Sequence, residues 1–166
     1  MGDIYMQHYS KQIIYQIGFL CCCAICVLSS FLTFFKASYD SDGETIRKTY
    51  HLAGYGFAWE LLVIVAAGVG VYFTFITFNK LAVLLAGVSM GLVAVVAYTK
   101  SENIATELRY TKSTVNEVDA LMQSIDSTVK EVSVNSSFTA AFYIFAIAAV
   151  GAIIFAICET LFINEK

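Results

Sequence analysis

Four long stretches of this sequence carry no charged residue, and this pattern limits the possible folds more than any other feature. The uncharged stretches are residues 12–35, 61–79, 81–99 and 132–158. A helix that spans a bilayer needs roughly 20 predominantly apolar residues. Inside hydrocarbon the backbone N–H and C=O groups must be satisfied within the segment, so helix is the expected state of each stretch. The sequence therefore predicts an all-α integral membrane protein with four transmembrane helices.

The composition favours the same fold class. Hydrophobic residues make up 58% of the chain and charged residues 14%, and the mean hydropathy is +0.72. A soluble domain of 166 residues has too little interior to bury that much apolar surface, whereas a bilayer lets apolar side chains face lipid. The net charge of −3 argues against a nucleic-acid partner. We expect one membrane domain over residues 1–166, with spans near 13–35, 54–78, 81–99 and 137–162.

The connection between spans three and four has the hydrophobic spacing of an amphipathic helix. Its stripe consists of Ile104, Leu108, Thr111, Val115, Val118, Met122, Ile125, Val129 and Val132. These residues alternate four- and three-residue steps, as in a heptad repeat. We predict a helical connection over residues 101–133 that lies along the membrane surface or folds into a hairpin at Thr114, where Glu117 completes a capping box. The second part of the stripe, from Val115 to Val132, is a candidate coiled-coil or surface contact with lipid headgroups, with its own other half or with another chain.

The distribution of Lys and Arg predicts an orientation. The first and third connections hold Lys36, Arg47, Lys48, Lys100, Arg109, Lys112 and Lys130. The opposite side holds Lys11, Lys80 and Lys166. The positive-inside rule then puts both longer connections in the cytoplasm and both termini outside, in a plasma or inner membrane. The reverse orientation would resemble the four-span plan of claudin- and tetraspanin-type proteins, but the connections contain none of the cysteine signatures of those families.

Four cysteines cluster within the first predicted span, at Cys21, Cys22, Cys23 and Cys26. Cys23 and Cys26 form a C-x-x-C pair, but a redox or metal site needs ionised thiols, and this span supplies neither a base nor a cation. We interpret the cluster as small apolar packing residues, with lipidation or a redox role as alternatives. We therefore predict no metal site and no cofactor.

Two polar residues are candidates for an intramembrane site, Glu60 and Gln16. Glu60 follows Trp59 inside the second predicted span, where a charged group is costly and is usually paired or faces protein or water. The alternative is an acid at headgroup level. Glu159 is close enough to the end of span four to reach the membrane interface.

Two short motifs outside the spans have ordinary interpretations. The segment "SYDSDGET" (residues 38–45) resembles a calcium loop but has Ser38 and Thr49 where two essential ligands belong. It is better explained as a turn ending in a Ser41–Glu44 capping box. The sequence "NSS" at Asn135 is a glycosylation sequon that matters only if its side of the membrane is lumenal.

Small residues recur at four-residue spacing in spans three and four. The candidates for close helix packing are Gly87, Gly91, Ala148, Ala152 and Ala156. Such spacing lets two helix backbones approach closely, either within one bundle or against another subunit.

These observations predict a small non-enzymatic protein that acts as an accessory, structural or regulatory subunit, including immunity-type factors, by packing against other membrane proteins. Its partners would be the lipid bilayer and other membrane subunits or copies of itself. The alternative is a homo-oligomeric pore that uses Glu60 and Gln16 in a wet interior. A thiol enzyme is the weakest option.

Overall fold

The computed structural model describes residues 2–41, 44–77, 79–123 and 134–162. The long helices in this part of the chain are α1 (Gly2–Ser30), α2 (Phe57–Tyr72), α3 (Lys80–Gln123) and α4 (Ala140–Phe162). A 3₁₀ turn, Leu52–Tyr55, precedes α2, and a π-helical turn, Phe73–Thr77, follows it. The strands are β1 (Thr33–Ser41), β2 (Glu44–His51) and β3 (Val134–Phe138).

Within the described residues, four helical segments are long and apolar enough to cross a membrane. They are Ile13–Ser30, Phe57–Ile76, Lys80–Arg109 and Ala140–Leu161. Each coincides with one predicted span, although several of the predicted boundaries move, including the end of the third span, from residue 99 to Arg109. The first helix ends at Ser30, before β1, and the fourth begins only after β3. The second begins at Phe57 because Gly56 has φ +134°, a conformation that favours glycine and is incompatible with helix.

The four helices pack as a closed ring in chain order. α1 contacts α2 and α4, and α3 contacts α2 and α4. Each helix contributes at least one large side chain with 0% exposure to the interior, among them Phe19, Val63, Met90 and Phe145. In a bilayer, close van der Waals packing of such groups holds helices together. The interior of the bundle is therefore filled by apolar side chains over most of its length.

The outer faces of the bundle are apolar on every helix. Exposed large residues on these faces include Ile17, Leu28, Leu61, Val65, Leu85, Val95, Ile147 and Ile154. Soluble monomers rarely expose a continuous apolar patch larger than a few hundred Å². The apolar surface of this bundle extends over all four helices. This is the surface that a bilayer or neighbouring helices would cover.

The connections form a small antiparallel sheet that the all-α prediction missed. Its strand order is β2-β1-β3, and the central strand pairs Phe35 with Tyr50 on one side and with Phe138 on the other. The all-α class is correct for the spans and wrong for the connections. A capping box at Ser41 is also wrong, because residues 44–51 form a strand rather than a helix.

An aromatic seam, formed by Phe35, Tyr98, Phe138 and Phe142, joins the sheet to the bundle. The Phe138 ring centroid lies 5.4 Å from that of Phe35, 5.3 Å from that of Tyr98 and 4.6 Å from that of Phe142. Aromatic pairs at these distances contribute about 0.5–1.5 kcal/mol beyond their burial. The seam brings the first and third connections together at one end of the bundle.

Span three and the helix that follows it are one continuous helix. α3 has 44 residues and is about 66 Å long at 1.5 Å per residue, so it extends well past the hydrocarbon thickness of a bilayer. The predicted break at Thr114 is wrong, and as far as Gln123 the connection is a continuation of α3. The side chains of Val115, Val118 and Met122 lie outside the described residues, as do Ile125, Val129 and Val132 entirely.

Candidate functional site

Four polar residues meet at the end of the bundle away from the sheet. This bundle-end polar site consists of Gln16 on α1, Thr74 in the π-helical turn, Lys80 at the start of α3 and Glu159 near the end of α4. Each of the four chain segments crossing the bundle therefore contributes one member. Gln16, Thr74 and Glu159 are buried, which is expensive for polar groups unless they contact one another.

The amide of Gln16 ties α1 to the end of α2. Its Nε2 donates a hydrogen bond to the main-chain carbonyl of Thr74 over 3.3 Å. The hydroxyl of Thr74 in turn donates to the carbonyl of Gly70 over 2.8 Å. Thr74 lies in a π-helical turn, a distortion that disturbs the regular helical bonding pattern and recurs at functional sites. Gln16 is thus a helix-to-helix link rather than a residue facing lipid.

Glu159 is the most unusual member of this site. Only 4% of the residue is exposed, and among the described residues its Oε2 atom has no hydrogen-bond partner. Its carboxyl group lies near the Gln16 side chain and within the electrostatic influence of Lys80. Glu159 is buried inside the protein, whereas its position near the end of span four suggests an acid that could reach the interface. The hydropathy of the residues next to Glu159 in the sequence does not predict this burial.

Glu60 lies at the other end of the bundle, in the first turn of α2, and is 7% exposed. A carboxylate in the first turn of a helix is favoured by the helix dipole. Glu60 precedes Thr74 by 14 positions, or about 21 Å along a helix. The structure therefore does not bring Glu60 and Gln16 together in one site.

A second polar contact lies at the sheet end of the bundle. The hydroxyls of Tyr55 and Ser101 share a hydrogen bond of 2.6 Å, and both residues are buried. Burial raises the pKa of Tyr55, while the bond to Ser101 opposes that rise. The phenol accordingly stays protonated at neutral pH, and it links the turn before α2 to α3.

The cysteine cluster packs against α4. Cys23 and Cys26 are buried, and the Sγ atom of Cys26 lies 3.8 Å from the main-chain oxygen of Phe145. A Cβ atom added to Gly151 would come within 2.9 Å of the Sγ atom of Cys22, which shows how closely α1 approaches α4. All five cysteines are free thiols. Among the described residues, no group of three or more His, Cys, Asp or Glu side chains could hold a metal ion.

The small residues of spans three and four face each other. A Cβ atom added to Gly87 would lie 3.3 Å from Cα of Ile153 and 3.4 Å from the carbonyl carbon of Ala152. One added to Gly91 would meet the Cδ1 atom of Ile153 at 3.0 Å. Ala148 and Ala156 are also buried on α4. These residues serve packing within the bundle, so they are not a free surface for another subunit.

No protein-family model matches this sequence. No curated protein is significantly similar to it.

Proposed function

We propose that this protein is a four-span integral membrane protein of a plasma or inner membrane, acting as a non-enzymatic accessory or regulatory subunit. It would work by binding other membrane proteins through the outer faces of its helices and through its ordered sheet. The bilayer is its first partner, because apolar side chains such as Leu28, Leu61 and Ile147 cover those faces.

One observation supports this proposal: two hydrogen bonds between buried polar groups link helices or turns of the bundle to one another. Gln16 bonds to Thr74, and Tyr55 bonds to Ser101. Groups that are already paired in this way fix the bundle as a rigid body. The surfaces that remain for interaction are the apolar outer faces and the connections.

A pore formed between several copies is the second candidate, and Glu60 is the feature that favours it. A carboxylate within the bundle end is an intramembrane ionisable group, which is a functional candidate by default. However, Phe19 and Val63 fill the interior between the levels of Glu60 and Gln16. A conducting path would therefore have to run between copies rather than through one of them.

We also propose that both longer connections lie in the cytoplasm. Lys36, Arg47, Lys48, Lys100 and Arg109 are exposed around the sheet and the adjoining part of α3. The positive-inside rule favours the cytoplasm for such a concentration of cations.

Native mass spectrometry of complexes gently extracted from membranes tests the function. The accessory proposal expects this chain in a fixed ratio with a larger membrane protein. A ring of identical copies with no other component would overturn it in favour of the pore. An isolated chain with no bound protein under several mild detergents would overturn both.

A further inference from the structure

The outer edge of β2 is open within the part of the chain that the structure describes. In the strand order β2-β1-β3, β2 has β1 on one side and no described strand on the other. Residues 45–49 of this strand are all exposed, and the chain contains no proline that would block pairing. An open strand edge presents main-chain donors and acceptors to any further strand.

The register shows which main-chain groups point outward. Ser41 pairs with Glu44 across the two-residue connection, and in such a hairpin the flanking pair exchanges both hydrogen bonds. Bonded and non-bonded pairs then alternate along the strand. The N–H and C=O groups of Arg47 and Thr49 accordingly point away from β1, toward the open edge.

We propose that this edge binds β2 of a second copy of the chain, antiparallel and about a two-fold axis centred on Ile46. The two three-stranded sheets would join into one of six strands. Ile46 is a large apolar residue with 38% exposure, and it would meet its own copy at the centre. Lys48 of each copy would stand opposite residue 44 of the other, which is a glutamate. Opposite charges across strands stabilise such a pair.

Charge selects this register over its neighbours. Two copies of β2 can pair only if the main-chain N–H and C=O groups at the open edge of one strand meet those of the other. Symmetric pairings centred on any residue of the strand satisfy this condition. A pairing centred on Arg47 would put Arg47 against its own copy, and one centred on Lys48 would do the same with two lysines. Like charges directly opposite each other are destabilising. Among these three centres, only Ile46 opposes unlike charges and buries an apolar pair.

The direction of β2 decides how the two copies face each other. β2 runs from the hairpin back toward the 3₁₀ turn and α2. In an antiparallel pair the partner strand runs the other way, so the two helix bundles lie at opposite ends of the joined strands. The proposed contact is a symmetric dimer of two copies joined through their sheets. It is independent of whether the protein has a larger partner.

Disulfide trapping of Ile46→Cys in proteoliposomes tests the contact. Opposed residues in a non-hydrogen-bonded pair have Cα atoms about 4.5 Å apart, within the range that a disulfide bridges. We expect covalent dimers on mild oxidation. Thr49→Cys is the matched control, since it is exposed on the same strand but far from its copy in this register. The unaltered chain, whose five cysteines lie on α1 and α4, sets the background.

Charge variants of the Ile46→Cys protein distinguish pairing in this register from cross-linking between randomly colliding molecules. Lys48→Glu should lower the yield of the Ile46→Cys dimer several-fold, and the double change Glu44→Lys with Lys48→Glu should restore it. Lys48→Ala, which adds no repulsion, should lower the yield less and guards against a folding defect in Lys48→Glu. A dimer through Thr49→Cys but not Ile46→Cys would overturn the proposal. So would a yield unaffected by Lys48→Glu, or trapping of a different protein in native membranes.

Discussion

The hydroxyl oxygens of Tyr55 and Ser101 lie 2.6 Å apart inside the protein. Tyr55 ends the turn that follows the sheet, and Ser101 lies on α3 next to the aromatic seam. The contact therefore fastens the first connection to the long helix that carries the third. Together with the seam, it makes the sheet and the bundle one packed unit.

Tyr55→Phe should lower the free energy of unfolding by about 1–2 kcal/mol, because it leaves the buried Ser101 hydroxyl without this partner. Chemical denaturation in detergent measures the change. Tyr50→Phe is the matched control: the Tyr50 ring stacks on Tyr55 at 6.2 Å, and the variant keeps that ring. Equal losses in both variants would contradict a specific role for the bond.

Gly87→Leu should force α3 and α4 apart, because even one added carbon would lie 3.3 Å from the Ile153 backbone. Overpacking of this kind typically costs about 1–3 kcal/mol. Gly68→Leu is the control, since a Cβ atom there meets nothing within 4 Å. Thermal unfolding should show a lower melting temperature for Gly87→Leu and an equal or higher one for Gly68→Leu. The reverse order would mean that the helices pack through a different face.

Lys80→Met should destabilise the protein more than Glu159→Gln. Removing the cation takes away a positive charge that attracts the buried Glu159 carboxyl group, whereas the glutamine keeps the shape and removes the charge. The double variant should recover part of the loss caused by Lys80→Met alone, which thermal unfolding of all four proteins would reveal. Strictly additive effects would show that Lys80 and Glu159 do not interact.

The spans could be predicted from the sequence because length and hydropathy alone define them. Aromatic and β-branched residues in β1 and β2, with Asp42-Gly43 between them, were a usable hairpin signal. Ser41 and Glu44 also satisfy the pattern of a capping box, which favours a turn before a helix over a hairpin. β3 is only five residues long, and nothing local separates it from the start of span four.

The candidate site was harder to predict than the fold. Glu159 lies close to the end of an apolar run, where an acid normally reaches the interface, and its burial depends on helices distant in the sequence. Gln16 was identified as a candidate, but its partner is a carbonyl in a π-helical turn. Periodicity gives no indication of such a turn. By contrast, the packing residues Gly87 and Ala152 were predictable, because small side chains at four-residue spacing in a span usually mark close helix packing.

Glu60→Gln distinguishes the two candidate functions. If Glu60 holds a partner, the variant should weaken association by on the order of 1 kcal/mol, the typical value of a hydrogen bond within a membrane. Co-purification of the partner, with conductance of reconstituted bilayers as the second readout, measures this. We expect the loss in association. A variant that abolishes ion flux and keeps every protein contact would favour the pore.

The sheet requires the first and third connections to share one side of the membrane, and cysteine labelling tests this most directly. Thr49→Cys on β2, Ser137→Cys on β3 and Asn79→Cys between spans two and three are all exposed positions. In intact cells an impermeant thiol reagent should label Asn79→Cys, and it should reach the other two only after the membrane is opened. Labelling of Thr49→Cys and Ser137→Cys from opposite sides, or of all three from the same side, would contradict the four-span bundle.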